Sequence, residues 1–133
     1  MTGTAGGRLA NVRDNLSMEI FRFDRDERLI NAYGSIGLHA TRIASGQGGV
    51  TVTCLAVRPG GTIGTHPATG EQLFLVIEGS GWIAGADGIR HPMEAGQGAR
   101  WATGEVHTSG TDSGLTALAV EGSSLLLFEP ERS

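Results

Sequence analysis

The feature that most constrains this chain is a series of short runs of β-branched and aliphatic residues, separated by glycine-containing turns. Short apolar runs at this close spacing are typical of the strands of a β-sandwich or barrel. The chain has 22 glycines and 4 prolines in 133 residues, and the glycines are dispersed between the apolar runs. The sequence therefore predicts a single all-β domain with many tight turns.

The apolar runs predict nine strands and almost no helix. The pair Asp87 and Gly88 is the clearest hairpin signal, because both residues tolerate a positive φ. One short helix is predicted around Asp24 to Asn31, with Asp24 as its N-cap. The strands are predicted at Glu19–Phe23, Ile36–Ile43, Val50–Val57, Gln72–Glu78, Gly81–Ala84, Arg90–Met93, Gly98–Ala102, Thr116–Glu121 and Ser124–Phe128.

Residues 1–17 are polar and lack a period, so we predict a flexible lead-in there and one barrel domain over residues 18–133. The formal net charge is −4 and the arginines are scattered, which argues against nucleic acid as a partner. No apolar run is long enough to span a bilayer, and Met1–Gly7 has no apolar signal core. We therefore expect a cytoplasmic protein with no membrane partner.

The single cysteine, Cys54, excludes an internal disulfide and a cysteine-rich zinc site. It lies inside the apolar run Val50–Val57, which predicts a small buried hydrophobic side chain rather than a reactive thiol.

The stretch from Pro59 to Gly79 resembles the first cupin motif, in which a glycine is followed by His-x-His, a glutamate and a second glycine at fixed spacing. Gly60, His66 and Gly79 match this frame. The chain departs from it twice, with Ala68 at the second histidine and Gln72 at the glutamate.

The second cupin motif, a glycine followed by Pro-x-Gly, a histidine and an asparagine, is matched in its glycine and histidine frame. Gly96, Gly104 and His107 have the required spacing, whereas Ala102 replaces the proline and Thr111 the asparagine. The resemblance covers roughly residues 45–128. It implies a double-stranded β-helix, that is, a jelly-roll barrel with one mouth.

The cupin resemblance implies a divalent metal inside the barrel, and only three of the corresponding positions keep a possible ligand: His66, Gln72 and His107. Such a set would hold Zn, Fe, Ni or Mn weakly, since the glutamine oxygen is neutral and a poorer donor than a carboxylate. Strand alternation places Gln72 and Phe74 on one face and Glu71 on the other. A bulge at Gly70 would reverse this and bring Glu71 inward.

Phe74, Arg100 and Trp101 are the predicted lining of a substrate pocket. Arg100 and Arg58 stand at strand ends near the two motifs and could clamp a carboxylate, although simple surface exposure is the alternative for both. Packing in the core or at a dimer interface is the alternative for Trp101.

Three hypotheses of function remain open. The first is a small-molecule enzyme with a weakly held divalent metal. The second is a metal-free cupin that binds or senses a small organic ligand. The third is a metal-independent isomerase or cyclase in which His107 is the catalytic acid/base, oriented by Glu71 or Glu105.

A homodimer is also predicted. The outward face of Leu73, Leu75 and Ile77 and the segment Leu125–Phe128 offer more apolar surface than one small barrel readily covers.

Overall fold

In a computed structural model of the chain, residues 18–24 and 28–128 are described. They form strands and one 3-10 turn, Ala32–Gly34, so the all-β prediction is confirmed. The strands are β1 (Glu19–Arg22), β2 (Arg28–Ile30), β3 (Leu38–Ala40), β4 (Ala44–Gly46), β5 (Val50–Val57), β6 (Thr62–Pro67), β7 (Glu71–Ala84), β8 (Arg90–Glu94), β9 (Gln97–Trp101), β10 (Val106–Gly110), β11 (Leu115–Gly122) and β12 (Leu125–Leu127).

The barrel consists of two antiparallel layers that share the long strand β7. In the first layer β7 pairs through its N-terminal half with β9 and β11, and the layer continues to β1 on one side and β5 on the other. In the second layer the C-terminal half of β7 pairs with β8 and β10, and β10 pairs with β6. This is the jelly-roll arrangement that the sequence predicts.

The inner faces of the two layers form the main core. Trp101, Val76 and Ile83 are among its fully buried side chains, and most of the cluster comes from inward residues of β7, β9 and β11, together with Met93 of β8 and Ala68 between β6 and β7. Alternation on β7 is interrupted once, because Glu78 pairs with Thr116 whereas Val76 pairs with Ala117, which leaves Ile77 as the extra residue of a bulge.

A second apolar cluster lies on the outer face of the first layer. Leu73 and Leu75 are buried there, packed against residues of the same chain from β4 and β12 together with their neighbours. Thus the chain itself covers most of the face on which the homodimer prediction depends, while Ile77, at 45% exposed, and Leu126, at 54%, remain open. The homodimer stays a prediction that these contacts do not support.

Two predictions about local structure are wrong. The strands Gln72–Glu78 and Gly81–Ala84 are one strand, because Gly79 does not turn the chain but lets β7 cross from one layer to the other. At Gly79 φ is +81°, and a Cβ would meet the carbonyl oxygen of Gly114. The helix predicted around Asp24 to Asn31 is also wrong where it is described, since Arg28–Ile30 is strand β2.

Cys54 is exposed, contrary to the prediction of a buried side chain. On β5 the inward residues are Leu55 and Val57, so Cys54 faces outward, and β5 is an edge strand whose outer side is only thinly covered. The predicted flexible lead-in, 1–17, lies outside the described residues. No helix among the described residues has the length and apolar character needed to cross a membrane.

Candidate functional site

The two motif histidines lie side by side at the end of the second layer. His66 on β6 and His107 on β10 are direct cross-strand partners, and their ring centroids are 4.5 Å apart in an edge-to-face arrangement. His107 is buried, at 3% exposed, whereas His66 is exposed to solvent. The pair therefore has one buried member and one at the barrel surface.

A bulge in β6 turns His66 to the inner side. Ser109 pairs with Ile63 and His107 with His66, so between these pairs one residue of β10, Thr108, lies opposite two of β6, Gly64 and Thr65. Without this extra residue, Ile63 and His66 would point to opposite faces, and Ile63 packs against the core. The bulge thus allows both to face inward.

Backbone carbonyl groups hold both imidazole rings in the same tautomer. Nδ1 of His66 lies 2.6 Å from the carbonyl oxygen of Gly64, and Nδ1 of His107 lies 3.0 Å from that of Glu105. A carbonyl oxygen can only accept, so each Nδ1 carries the proton and donates it. In the neutral form of either ring, Nε2 is the nitrogen that carries the lone pair.

Trp101 forms the wall behind His107. Its ring stacks on the imidazole with the centroids 3.9 Å apart and 12° between the planes, and the Phe74 ring packs against the Trp101 ring with the centroids 5.7 Å apart. Burial lowers the pKa of His107, and the nearby His66 lowers it further. The hydrogen bond to the Glu105 backbone and the charge of Glu121 oppose this shift. His107 is therefore neutral near pH 7.

Gln72 lies on the inner face of the first layer, between Trp101 on β9 and Glu121 on β11, as its register on both neighbours requires. Its Nε2 donates to Glu121 Oε2 at 3.3 Å. Glu71 points the other way, and its carboxylate accepts from the backbone N–H of Leu125 at 2.8 Å. The geometry agrees with the prediction that strand alternation turns Gln72 inward and Glu71 outward. It does not agree with the alternative, in which a bulge at Gly70 turns Glu71 inward.

Arg100 does not face the histidines. It neighbours Trp101 on β9 and points to the opposite side of the sheet, where it is buried within 3.6 Å of Glu71 and 3.9 Å of Glu19. The predicted role of Arg100 in the pocket therefore needs correction, because strand alternation separates it from Trp101. Arg58 is exposed and borders two surface cavities of about 530 and 500 Å³ whose linings include neither histidine.

The carboxylates proposed to orient His107 are also placed elsewhere. Glu105 reaches His107 only through its backbone carbonyl, while its side chain accepts from the backbone N–H of Ala102 at 2.9 Å. Burial raises the pKa of Glu105, against the effect of its backbone hydrogen bonds. Glu71 is on the outer face, so neither carboxylate meets the imidazole.

Sequence reasoning missed Glu121, the carboxylate whose negative charge raises the pKa of His107. The signal was present but misleading: β11 reads as an apolar strand, and two of its large residues, Leu118 and Val120, pack on the outer cluster. Its inner residues are Leu115, Ala117 and Ala119, and Glu121 continues their alternation.

Within residues 18–24 and 28–128, no three histidine, cysteine, aspartate or glutamate side chains form a group that could hold a metal ion. Trp101 Nε1 is buried and has no hydrogen-bond acceptor in the same part of the chain. The site thus offers two imidazole nitrogens, an amide and a buried indole donor rather than a complete metal cage.

Comparison with known proteins identifies the fold. No family model and no curated protein matches the chain. A cupin superfamily protein from Desulfitobacterium hafniense matches with a TM-score of 0.51 and 12% identity, over 76% of this chain and 95% of that one. Salicylate 1,2-dioxygenase from Pseudaminobacter salicylatoxidans matches with a TM-score of 0.51 and 17% identity, over 54% of this chain. The match spans only 20% of the dioxygenase, and at these identities the likeness shows the cupin fold.

Proposed function

We propose that this protein of cupin fold acts on a small molecule at the barrel mouth, with a divalent metal held loosely by His66, His107 and Gln72. The observation that carries the proposal is the shared tautomer of the two histidines. With each Nδ1 bound to a backbone carbonyl, both Nε2 atoms are available on adjacent strands. Metal-ligating histidines are commonly held in this way by a carbonyl on the second ring nitrogen.

The donor set fits an open and weak site. Two imidazole nitrogens and the amide oxygen of Gln72 would supply three of the positions around Zn, Fe, Ni or Mn, and water or substrate the others. It does not fit a closed structural site, since no group of three histidine or acidic ligands forms in the described part of the chain. A metal in such a site would polarise a substrate oxygen as a Lewis acid.

The protein's own groups would define the remainder of the pocket. The Trp101 ring excludes water from one face of His107, and its buried Nε1 is a donor that a bound ligand or a water molecule would satisfy. Thr69 and Gln72 converge on the Glu121 carboxylate and would provide polar contacts. Ligands would therefore be recognised by an aromatic wall and a few polar groups, as in most small-molecule sites.

Calorimetric titration of the chelator-treated protein with Zn²⁺, Ni²⁺ and Mn²⁺ tests the proposal. We expect one weak site per chain, lost in His66→Ala and in His107→Ala. His39→Ala is the matched control, because His39 is an exposed strand histidine on β3, in the separate β2–β3 sheet. Equal metal binding by the wild type and both site variants would refute it.

A second candidate is a metal-free site that binds an organic ligand, or catalyses with His107 as general base. The observation in its favour is that burial holds His107 neutral, so that Nε2 can accept a proton near pH 7. The orienting group in this case is the Glu105 carbonyl, in place of the carboxylates considered above. Ligand binding or turnover that survives complete removal of metal would favour this candidate over the first.

A further inference from the structure

Glu121 is the inward carboxylate next to the amide that we propose as a metal ligand. It is the direct cross-strand partner of Gln72, and it lies on the same face as the buried Ala117 and Ala119. Neither cupin motif contains this position, which lies ten residues beyond Thr111, the last position of the second motif. The chain therefore has a carboxylate in the site, on a different strand from the one that the motif would use.

The hydrogen bond between the two side chains determines how the amide is turned. A carboxylate can only accept, so Gln72 must present its NH₂ group to Glu121, and this contact measures 3.3 Å from Nε2 to Oε2. The amide oxygen, Oε1, then points away from Glu121 and is free to act as a donor atom. If the amide were reversed, two acceptors would face each other.

Glu121 is itself held in place. The Thr69 hydroxyl donates to the same Oε2 atom, also at 3.3 Å, from the segment that joins β6 to β7. Thr69 follows the strand that carries His66, and Glu121 electrostatically favours the protonated form of His107. The carboxylate thus contacts groups beside both layers, and its negative charge acts on His107.

We propose that Glu121 is a positioning residue for the site: it fixes the Gln72 amide so that Oε1 is available to a divalent cation, and its charge increases the negative polarisation of that oxygen. The inference rests on the proposed metal function and extends it. Groups that orient a ligand through a hydrogen bond typically change metal affinity by about 10-fold to 100-fold when they are removed. Glu121 would compensate in part for the carboxylate that Gln72 lacks.

A double-mutant cycle with Zn²⁺ as the probe tests whether Glu121 acts through Gln72. Dissociation constants are measured for the wild type, Glu121→Gln, Gln72→Ala and the variant with both changes, each checked for an unchanged thermal midpoint. We expect Glu121→Gln to weaken Zn²⁺ binding by about tenfold when Gln72 is present, because a glutamine at position 121 donates as well as accepts and no longer dictates how the Gln72 amide is turned. The same change should have little effect once Gln72 is alanine, because no amide is left to orient.

The control is Glu78→Gln, which removes an exposed carboxylate on the same long strand, outside the inner core, and should leave Zn²⁺ affinity unchanged. Wild-type affinity in Glu121→Gln would overturn the inference and leave the metal proposal intact. An equal loss in both backgrounds would show that the charge acts directly, which also overturns the positioning role. Absence of Zn²⁺ binding in the wild type would overturn the proposed function and this inference together.

A swapped pair covers the case in which Glu121→Gln does not fold. In the variant with both Gln72→Glu and Glu121→Gln, the amide at position 121 can donate to the carboxylate at 72, so the hydrogen bond is kept in reverse. We expect it to bind Zn²⁺ at least as tightly as the wild type. Binding about tenfold weaker than the wild type in this folded variant would contradict the inference.

Discussion

Trp101→Ala should reduce the free energy of unfolding by about 4 kcal/mol, because Trp101 is the largest of the fully buried side chains. It is 0% exposed and connects the core to the site, with Phe74 on one side and the stacked His107 ring on the other. Truncation of a buried tryptophan costs about 3–5 kcal/mol, from lost apolar transfer and from the cavity that is left. Each aromatic contact stabilises the fold by about 0.5–1.5 kcal/mol beyond the contribution of the buried apolar area.

Trp101→Phe should cost far less, about 1–2 kcal/mol, since it keeps a ring against His107 and removes the buried Nε1, which meets no acceptor among the described residues. Trp82→Ala is the matched control. Trp82 is only half-buried, with the Arg90 guanidinium 3.8 Å from the centre of its ring. Trp82→Ala should therefore reduce the free energy of unfolding by less than half as much as Trp101→Ala.

Urea unfolding followed by circular dichroism provides the measurement. With a slope of about 2 kcal/mol per molar, the Trp101→Ala midpoint should fall by about 2 M at an unchanged slope. In the same variant the His107 imidazole, observed by NMR, should titrate closer to its ordinary pKa, because water would reach the ring. A loss below about 1 kcal/mol, or equal losses for the alanine and phenylalanine variants, would refute the assignment of Trp101 as the shared wall of core and site.

Other consequences follow from the same contacts. The metal-free protein should gain stability as the pH rises from the folded-state pKa of His107 to its ordinary value of 6.5, because in that range the unfolded chain binds a proton that the folded chain does not. Stability in urea at several pH values should show this rise in the wild type and a smaller one in His107→Gln, and an identical slope would count against it. Gly79→Ala should destabilise the barrel by several kcal/mol more than Gly88→Ala. Both glycines have a positive φ, but only at Gly79 would the added Cβ meet a backbone oxygen. Thermal unfolding of the two variants measures the difference in stability. Dialysis against a chelator should remove bound metal and leave the β-sheet spectrum intact, whereas unfolding would mean that the metal is structural. Ala68→His combined with Gln72→Glu should tighten metal binding about tenfold or more if it folds, and a stable variant without tighter binding would show that these positions do not converge on the histidines.

Much of the fold could be predicted from the sequence because the relevant signals are local. The strand Val50–Val57 has the predicted bounds, and the turn at Asp87 and Gly88 forms between β7 and β8 with Gly88 at a φ of +76°. The strands around the two histidines were missed. β6 and β10 carry threonine, serine and glycine at positions where a strand signal needs apolar residues.

The pairing of His66 with His107 could be anticipated only through the motif frame, since the residues are 41 positions apart and belong to different strands. Their orientation depends on the bulge in β6, which the tertiary pairing with β10 sets. A regular strand would have turned either Ile63 or His66 outward.

What the sequence by itself determined is the pattern of strands and turns, the identity of the two histidines and the missing carboxylate at Gln72. Only the tertiary structure decided the faces: Arg100 turns away from the site, Glu121 turns into it, and both Nδ1 atoms meet backbone carbonyls. The physical reason is that apolar alternation along one strand marks two faces but does not say which is inside. On β11 Leu118 and Val120 pack on the outer cluster, whereas Leu115 and two alanines precede Glu121 on the inner face, so the size of a residue does not mark the inner side.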